Sequence, residues 1–184
     1  MGVPVRTVAV PPVDRTLHRA AVQLRAEIGE LAEETVREIL ARIPEFARPS
    51  DVDYSRAVRA GVEQALRRFL DILERRNTDN NGWRDTYRAI GAGEMYQGRS
   101  LDSLQAAIRI GGRVGWRRLV RFAEIEQLSV SAISSLADAI WAHVDDLAEA
   151  AAEGYAQARS AEVGELDRRR RRLLDLLVSD PPVA

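Results

Sequence analysis

Residues 129–178 read SVSAISSLADAIWAHVDDLAEAAAEGYAQARSAEVGELDRRRRRLLDLLV. No proline interrupts this run, and its only glycines are Gly154 and Gly164. Ile133, Ile140 and Leu147 recur every seven residues, as do Ala137, Val144 and Ala151, the spacing that keeps one stripe of a helix apolar. The stripe loosens near Gly154 and resumes at Leu166, Leu173 and Leu177. A helix of roughly 45–50 residues is about 70 Å long at 1.5 Å per residue, longer than a small domain. Its first half, where Trp141 adds a second apolar edge, belongs in a domain core. Its second half must protrude, pair with another chain or lead elsewhere. Pro181-Pro182 stops it.

The segments upstream carry the same helical signature. Leu104, Ile108, Gly111, Gly115 and Leu119 place one face on a helix from Leu101 to about Gln127, with Ser100 as its cap. Glycines inside a helix cost about 1 kcal/mol each against alanine, so Gly111 and Gly115 imply close approach of another helix or of a ligand. Trp83, Tyr87 and Ile90 mark a shorter helix, Trp83 to Tyr96, broken by Gln97-Gly98. The polar run from Asn77 to Gly82 is a loop. Before it, Val58, Val62, Leu66, Phe69, Leu70 and Leu73 form the stripe of a helix from Asp51 to Arg76, with Ser50 and Asp53 as a capping-box variant. Asp14 caps a first helical stretch to Ile43, with Leu17, Ala21, Leu24, Ile28 and Leu31 on one face. Gly29 is the expected bend in it, and Pro44 and Pro49 end it. Residues 1–13, with Pro4, Pro11 and Pro12, read as a flexible leader. No segment alternates like a strand, and no repeat recurs at fixed period. The expected fold class is all-α, a bundle of five to six helices with a long last one. Residues 14–160 form the body and residues 161–184 a C-terminal helical extension.

Composition excludes more than it assigns. The chain has 184 residues, 46 % apolar and 30 % charged, with a formal net charge of -1. It is globular in composition and carries no overall field to gather nucleic acid or anionic membrane. Its 27 basic residues are all arginine, which reads as codon bias. Without cysteine, disulfides, thiolate nucleophiles and Cys-based zinc sites drop out. No apolar run approaches the roughly 20 residues of a membrane span, and the N-terminus lacks the pattern of a secretory signal. The cytoplasm is the expected location.

Candidate chemistry is sparse. Glu33/Glu34 and Asp145/Asp146 read as solvated helix surface. His143 sits beside the heptad stripe and is expected at the boundary of the core rather than on a haem; His18 is expected at an exposed edge. No serine has a motif-paired histidine, and nucleophile-elbow, phosphate-loop and HExxH patterns are missing. No catalytic residue, metal ligand or cofactor is expected. Arg109, Arg113, Arg117 and Arg121 fall four apart and make a ridge. Such a ridge either pairs with carboxylates of a neighbouring helix or receives an anionic ligand. Arg168 to Arg172 cover every side of a helix, so they suit a solvated or coiled-coil flank better than a DNA-reading face.

Trp83 and Tyr87 are followed by Gly91, Glu94, Gly98-Arg99-Ser100-Leu101, Leu104, Ala107-Ile108-Arg109, Trp116, Gly154-Tyr155 and Arg169-Arg170-Arg171-Arg172-Leu173-Leu174. In this order they resemble the N-terminal helical region of PucR/CdaR-type transcriptional regulators of actinobacteria, itself similar to the N-terminal domain of RsbR-type stress-signalling antagonists. The resemblance covers roughly residues 15–178. It implies a globin-like helical fold without haem and a sensory or interaction module that is usually dimeric. It also implies that DNA is met only through C-terminal domains absent from this chain. The chain departs from the pattern at Gly111-Gly112, where one glycine is expected; the second changes helix packing there or enlarges a pocket. Three roles remain open: input and dimerisation domain of a regulator, with Leu166, Leu173 and Leu177 at the dimer seam; sensor of a small anion held by Glu94, Arg99, Arg109, Arg113 and Trp116; or stand-alone adaptor with a protein partner.

Overall fold

The computed structural model describes the backbone of residues 12–47, 52–74 and 82–178, and side chains from 17, 54 and 82 onward in those stretches up to 175. These residues form six α-helices: α1 (Pro12–Ala26), α2 (Ile28–Arg42), α3 (Val52–Leu73), α4 (Gly82–Tyr96), α5 (Leu101–Ile125) and α6 (Val130–Val178). A single 3-10 turn, Pro44–Phe46, follows α2. Among the described residues there is no strand. The expected all-α class with a long last helix is what the chain adopts.

The helix ends have local causes. α1 starts at Pro12, a residue whose fixed φ suits a first helical turn, so Asp14 lies inside the helix rather than capping it. The expected leader therefore shrinks to residues 1–11, which lie outside the described residues, as do Ser50 and the polar loop before Gly82. The bend between α1 and α2 falls at Glu27 (φ -101°, ψ 5°), not at Gly29. Leu24 of α1 and Ile28 of α2 still pack in one core cluster, and Leu31 in another, so the chain crosses between the clusters within the first turn of α2. Gly98 ends α4 in the left-handed region (φ 71°). There the Arg99 N–H donates to Glu94 O and the Gly98 N–H to Met95 O, the paired bonds of a Schellman end. Ser100 caps α5 by accepting from the Ser103 N–H at 3.2 Å.

The first 30 residues of α6 run through the body as its central post. Leu136, Ile140, Val144, Leu147, Ala150 and Ala151 are buried against α1, α3, α4 and α5. Trp141 is an exception, 41 % exposed rather than a core edge. α4 lies closest to α6. A Cβ on Gly91 would fall on the carbonyl oxygen of Ala151 and 2.8 Å from its carbon; one on Gly154 would fall on Arg88 O and 2.6 Å from Arg88 Cα. Only glycine at both positions lets the two backbones touch. α5 also packs closely on α6: a Cβ on Gly112 would come 2.6 Å from Val144 Cγ2, and one on Gly115 3.2 Å from Ile140 Cδ1.

The post continues beyond the body. Among the described residues Ala158 is the last buried one of α6. From Arg159 to Val178 the helix runs on for about 30 Å at 1.5 Å per residue.

Candidate functional site

The body is not filled. A cavity of about 270 Å³ lies between α3 and the layer made by α2, α4, α5 and α6. Close-packed interiors hold few voids larger than a water, so a space of this size is a feature of the fold. Its wall is almost wholly aliphatic and aromatic. Gly111, Gly112 and Gly115 of α5 form part of it, and so do Gly61 and Gly93. The doubled glycine at 111–112 thus both packs α5 onto α6 and widens the hollow. Leu104 and Leu119, near opposite ends of α5, both line it; at 1.5 Å per residue they stand about 22 Å apart. Ala57 and Gln97 are the lining residues that are also exposed.

Six residues of the wall carry polar side chains: Thr35, Tyr54, Tyr87, Glu94, Gln97 and His143. Thr35 Oγ1 donates to Leu31 O at 2.7 Å within α2. Tyr87 OH donates to Gly61 O at 2.9 Å, and burial pushes its ionisation above the usual range. His143 is 5 % exposed, not at the core boundary as its sequence position implied. Its Nδ1 lies 2.8 Å from Arg68 Nη1 and its Nε2 3.0 Å from Ala65 O. A neutral ring fits both: Nε2–H donates to the carbonyl, and Nδ1 accepts from the guanidinium. Burial, with the Arg68 charge adding to it, lowers the His143 pKa to about 4. Arg68 in turn pairs with Asp146 at 3.1 Å and lies 3.5 Å over the Trp83 ring.

Glu94, 6 % exposed, is paired with Arg99, 3 % exposed. Arg99 Nε donates to one Glu94 oxygen, and Nη2 donates to the other at 3.0 Å and to Gln97 Oε1 at 2.5 Å. The guanidinium lies 4.1 Å from the Tyr54 ring centre and 5.8 Å from that of Phe46. Burial opposes its charge most strongly, but the Glu94 bonds and charge, with the fields of Tyr54 and Glu45, together outweigh that and raise its pKa. Arg99 Nη1 is buried and has no hydrogen-bond partner among the described residues. The Arg99 carbonyl accepts from Tyr155 OH at 3.1 Å, which ties this corner to α6. Glu45 closes it from the side, accepting from the Ser100 N–H at 3.1 Å and Ser103 Oγ at 2.7 Å. Those bonds hold the Glu45 carboxyl below the usual carboxylate range.

The residues proposed from sequence for an anion site separate into three places. Glu94 and Arg99 clamp each other in the corner. Arg109 and Arg113 are exposed on α5 and make no ion pair among the described residues. Trp116 packs in the cluster of Phe69, Leu119, Leu136 and Ile140. Within the ridge only Arg117 bridges to a neighbouring helix, meeting Glu38 and, at 3.5 Å, Glu34 of α2. Among the described residues no three His, Asp or Glu gather as a metal site, and no helix is long and apolar enough to cross a membrane. Sequence reading missed Glu45, Arg68 and Tyr155 as partners, because each acts on a residue more than 50 positions away. Val163 was also missed, though its position three before Leu166 could have placed it on the later stripe.

Of the seam residues, Leu166 is 49 % and Leu173 61 % exposed. The side chain of Leu177 lies outside the described residues. Ile140, Val144 and Leu147, of the earlier heptad stripe, are buried inside the body.

No curated protein and no solved structure matches the chain. The profile of the PucR-like N-terminal domain matches residues 16–178. That match runs from the first turns of α1 to the end of α6, so it takes in the corner of Gly91, Glu94, Gly98, Arg99, Ser100 and Tyr155 and the protruding helix alike. The chain belongs to the PucR-like N-terminal domain family.

Proposed function

We propose that this chain is the input and dimerisation domain of a PucR-type regulator, without catalysis of its own. In this reading its helical body responds to a signal and its last helix passes the response on. The observation that carries it is the course of α6 beyond Ala158. Val163, Leu166 and Leu173 lie at steps of three and seven, as the a and d positions of a heptad do, and all three are largely exposed. Arg170 takes the a position between them, where a charged residue sets register at some loss of stability. A lone helix of this length has nothing in its own body to cover that stripe; the same stripe on a second copy is its natural complement. Covering each large apolar side chain contributes about 1.5–3 kcal/mol before ordering costs, so a few per chain support a stable pair.

Light scattering tests the reading. The chain is expected to run as a dimer, and Leu166→Asp with Leu173→Asp to run as a monomer with unchanged helical content. A monomeric parent chain, or a dimer unmoved by the double substitution, removes this segment from the interface.

A further inference from the structure

We propose that the hollow beneath α3 is a binding site for a neutral, largely hydrocarbon molecule of about ten to twelve carbon atoms.

Size, charge and unspent apolar surface carry this. An apolar cavity of about 150 Å³ takes up benzene, and this one measures about 270 Å³. At the same fit it holds about eleven carbons rather than six. Among the lining residues Glu94 is the one charged side chain, and Arg99 meets both of its oxygens. His143 sets Nδ1 toward Arg68 and Nε2 toward Ala65 O, so its ring is neutral. Thr35 and Tyr87 give their hydroxyl hydrogens to Leu31 O and Gly61 O, and Gln97 Oε1 accepts from Arg99. A charged guest would leave water and meet no uncommitted opposite charge, a cost that a hydrocarbon does not bear.

The wall also keeps apolar surface that its own body does not cover. Val58, Val62 and Leu66 of α3, Ile90 of α4 and Ile108 of α5 line the hollow and pack on the core, yet each is only half-buried. Gly111 belongs with them. A Cβ there would meet only Thr35 Cγ2, at an ordinary 3.6 Å, so close packing does not require this mid-helix glycine as it does Gly112. What its missing side chain leaves is room. A guest takes the remaining water from these side chains, which is the driving force for uptake. Ile140, His143, Val144 and Leu147 line the same hollow, so an occupant rests on the helix that runs out of the body. This names an effector class for the input domain and rests on the regulatory reading only for its purpose.

The full chain is titrated with naphthalene, biphenyl and the ionised 2-naphthoate, followed by thermal unfolding and methyl NMR. At tenfold excess of either hydrocarbon over its Kd the melting temperature should rise by roughly 3–6 °C. 2-Naphthoate should bind at least tenfold more weakly than naphthalene. Methyl signals of Val58, Val62 and Leu66 should shift while those of Leu166 and Leu173 stay, so binding and dimerisation are read apart. A monomeric chain that still takes up naphthalene would remove the dimer and leave the site standing. Gly111→Leu directs a side chain toward Thr35 in the wall and should weaken naphthalene binding at least tenfold. Gly29→Leu, at a helix glycine outside the wall where a Cβ meets nothing within 4 Å, should leave it unchanged. Should Gly111→Leu fail to fold, competition on the parent chain decides, with biphenyl displacing naphthalene one for one. No binding of either hydrocarbon, 2-naphthoate binding as tightly as naphthalene, the two hydrocarbons binding together, shifts at Leu166 and Leu173 in place of the α3 methyls, or an affinity indifferent to a folded Gly111→Leu chain would overturn the proposal.

Discussion

Replacing Gly91 by alanine adds one methyl group where α4 and α6 run closest. The new Cβ would fall on the Ala151 carbonyl oxygen and lie 2.8 Å from the carbonyl carbon. Restoring the carbon alone to an ordinary contact of about 3.5 Å moves α4 roughly 0.7 Å away, and the oxygen overlap demands more. A gap of that order forfeits a quarter to a half of each contact it opens, here those of Tyr87 with Leu147 and Ala150. Overpacking of this kind costs about 1–3 kcal/mol and more against rigid backbone, and alanine returns up to about 1 kcal/mol of helix propensity. The net expectation is a loss of about 2–3 kcal/mol. In a chain of this size that lowers the melting temperature by roughly 4–12 °C. Gly93→Ala is the matched control on the same helix, since a Cβ there meets nothing within 4 Å. It should gain about 0.5–1 kcal/mol and melt slightly higher. Thermal unfolding followed by circular dichroism reads both. If Gly91→Ala melts at or above the Gly93→Ala protein, the two helices do not approach as described.

The buried ion pair and the buried histidine give two further tests. Glu94→Ala leaves Arg99 charged and buried, and should destabilise by about 3–5 kcal/mol in urea unfolding. Glu94→Leu combined with Arg99→Met should lose less than the single Glu94→Ala change, because no lone charge remains; an equal or larger loss would mean that the pair is not desolvated. His143 has a folded pKa of about 4 against an ordinary value of 6.5. Between these the unfolded chain binds the proton and the folded one does not, so the stability present above pH 6.5 falls as pH drops toward 4. The His143 share should be about 2 kcal/mol between pH 7 and 5. His143→Gln should flatten the stability profile by that amount over the same window; an unchanged slope would show that the ring is accessible to protons in the folded protein.

Much of the helical plan is legible in the chain itself, for physical reasons that act over a few residues. Gly98 reads as a stop because only glycine takes φ 71° without strain, and Ser100 as a start because its hydroxyl can reach the N–H of residue 103. The steps of three, four and seven between apolar residues fix which face each helix buries. The seven-residue spacing of Leu166 and Leu173 also survived intact, since an exposed stripe needs no partner in the body to be recognised. Gly115 announced close packing because a propensity cost inside a helix needs a cause, but Gly111 did not carry it: a Cβ there meets only Thr35 Cγ2 at 3.6 Å, and Gly112 is the residue that packs against Val144.

What the sequence by itself determined, then, is the set of helices, their order and their apolar faces, because capping, chain stops and periodicity depend on neighbours along the chain. Only the tertiary structure decided where α1 breaks from α2, at Glu27 rather than at the glycine two residues on. Only it could seat His143 between Arg68 and Ala65, or set Glu94 against Arg99 while leaving Arg109 and Arg113 in solvent. The hollow beneath α3 is of the same kind. A periodic stripe states that a face is apolar, not whether the neighbouring faces meet across it, and that distance is set by the backbone contacts that Gly91 and Gly154 allow, and the seat that Gly112 leaves for Val144, elsewhere in the bundle.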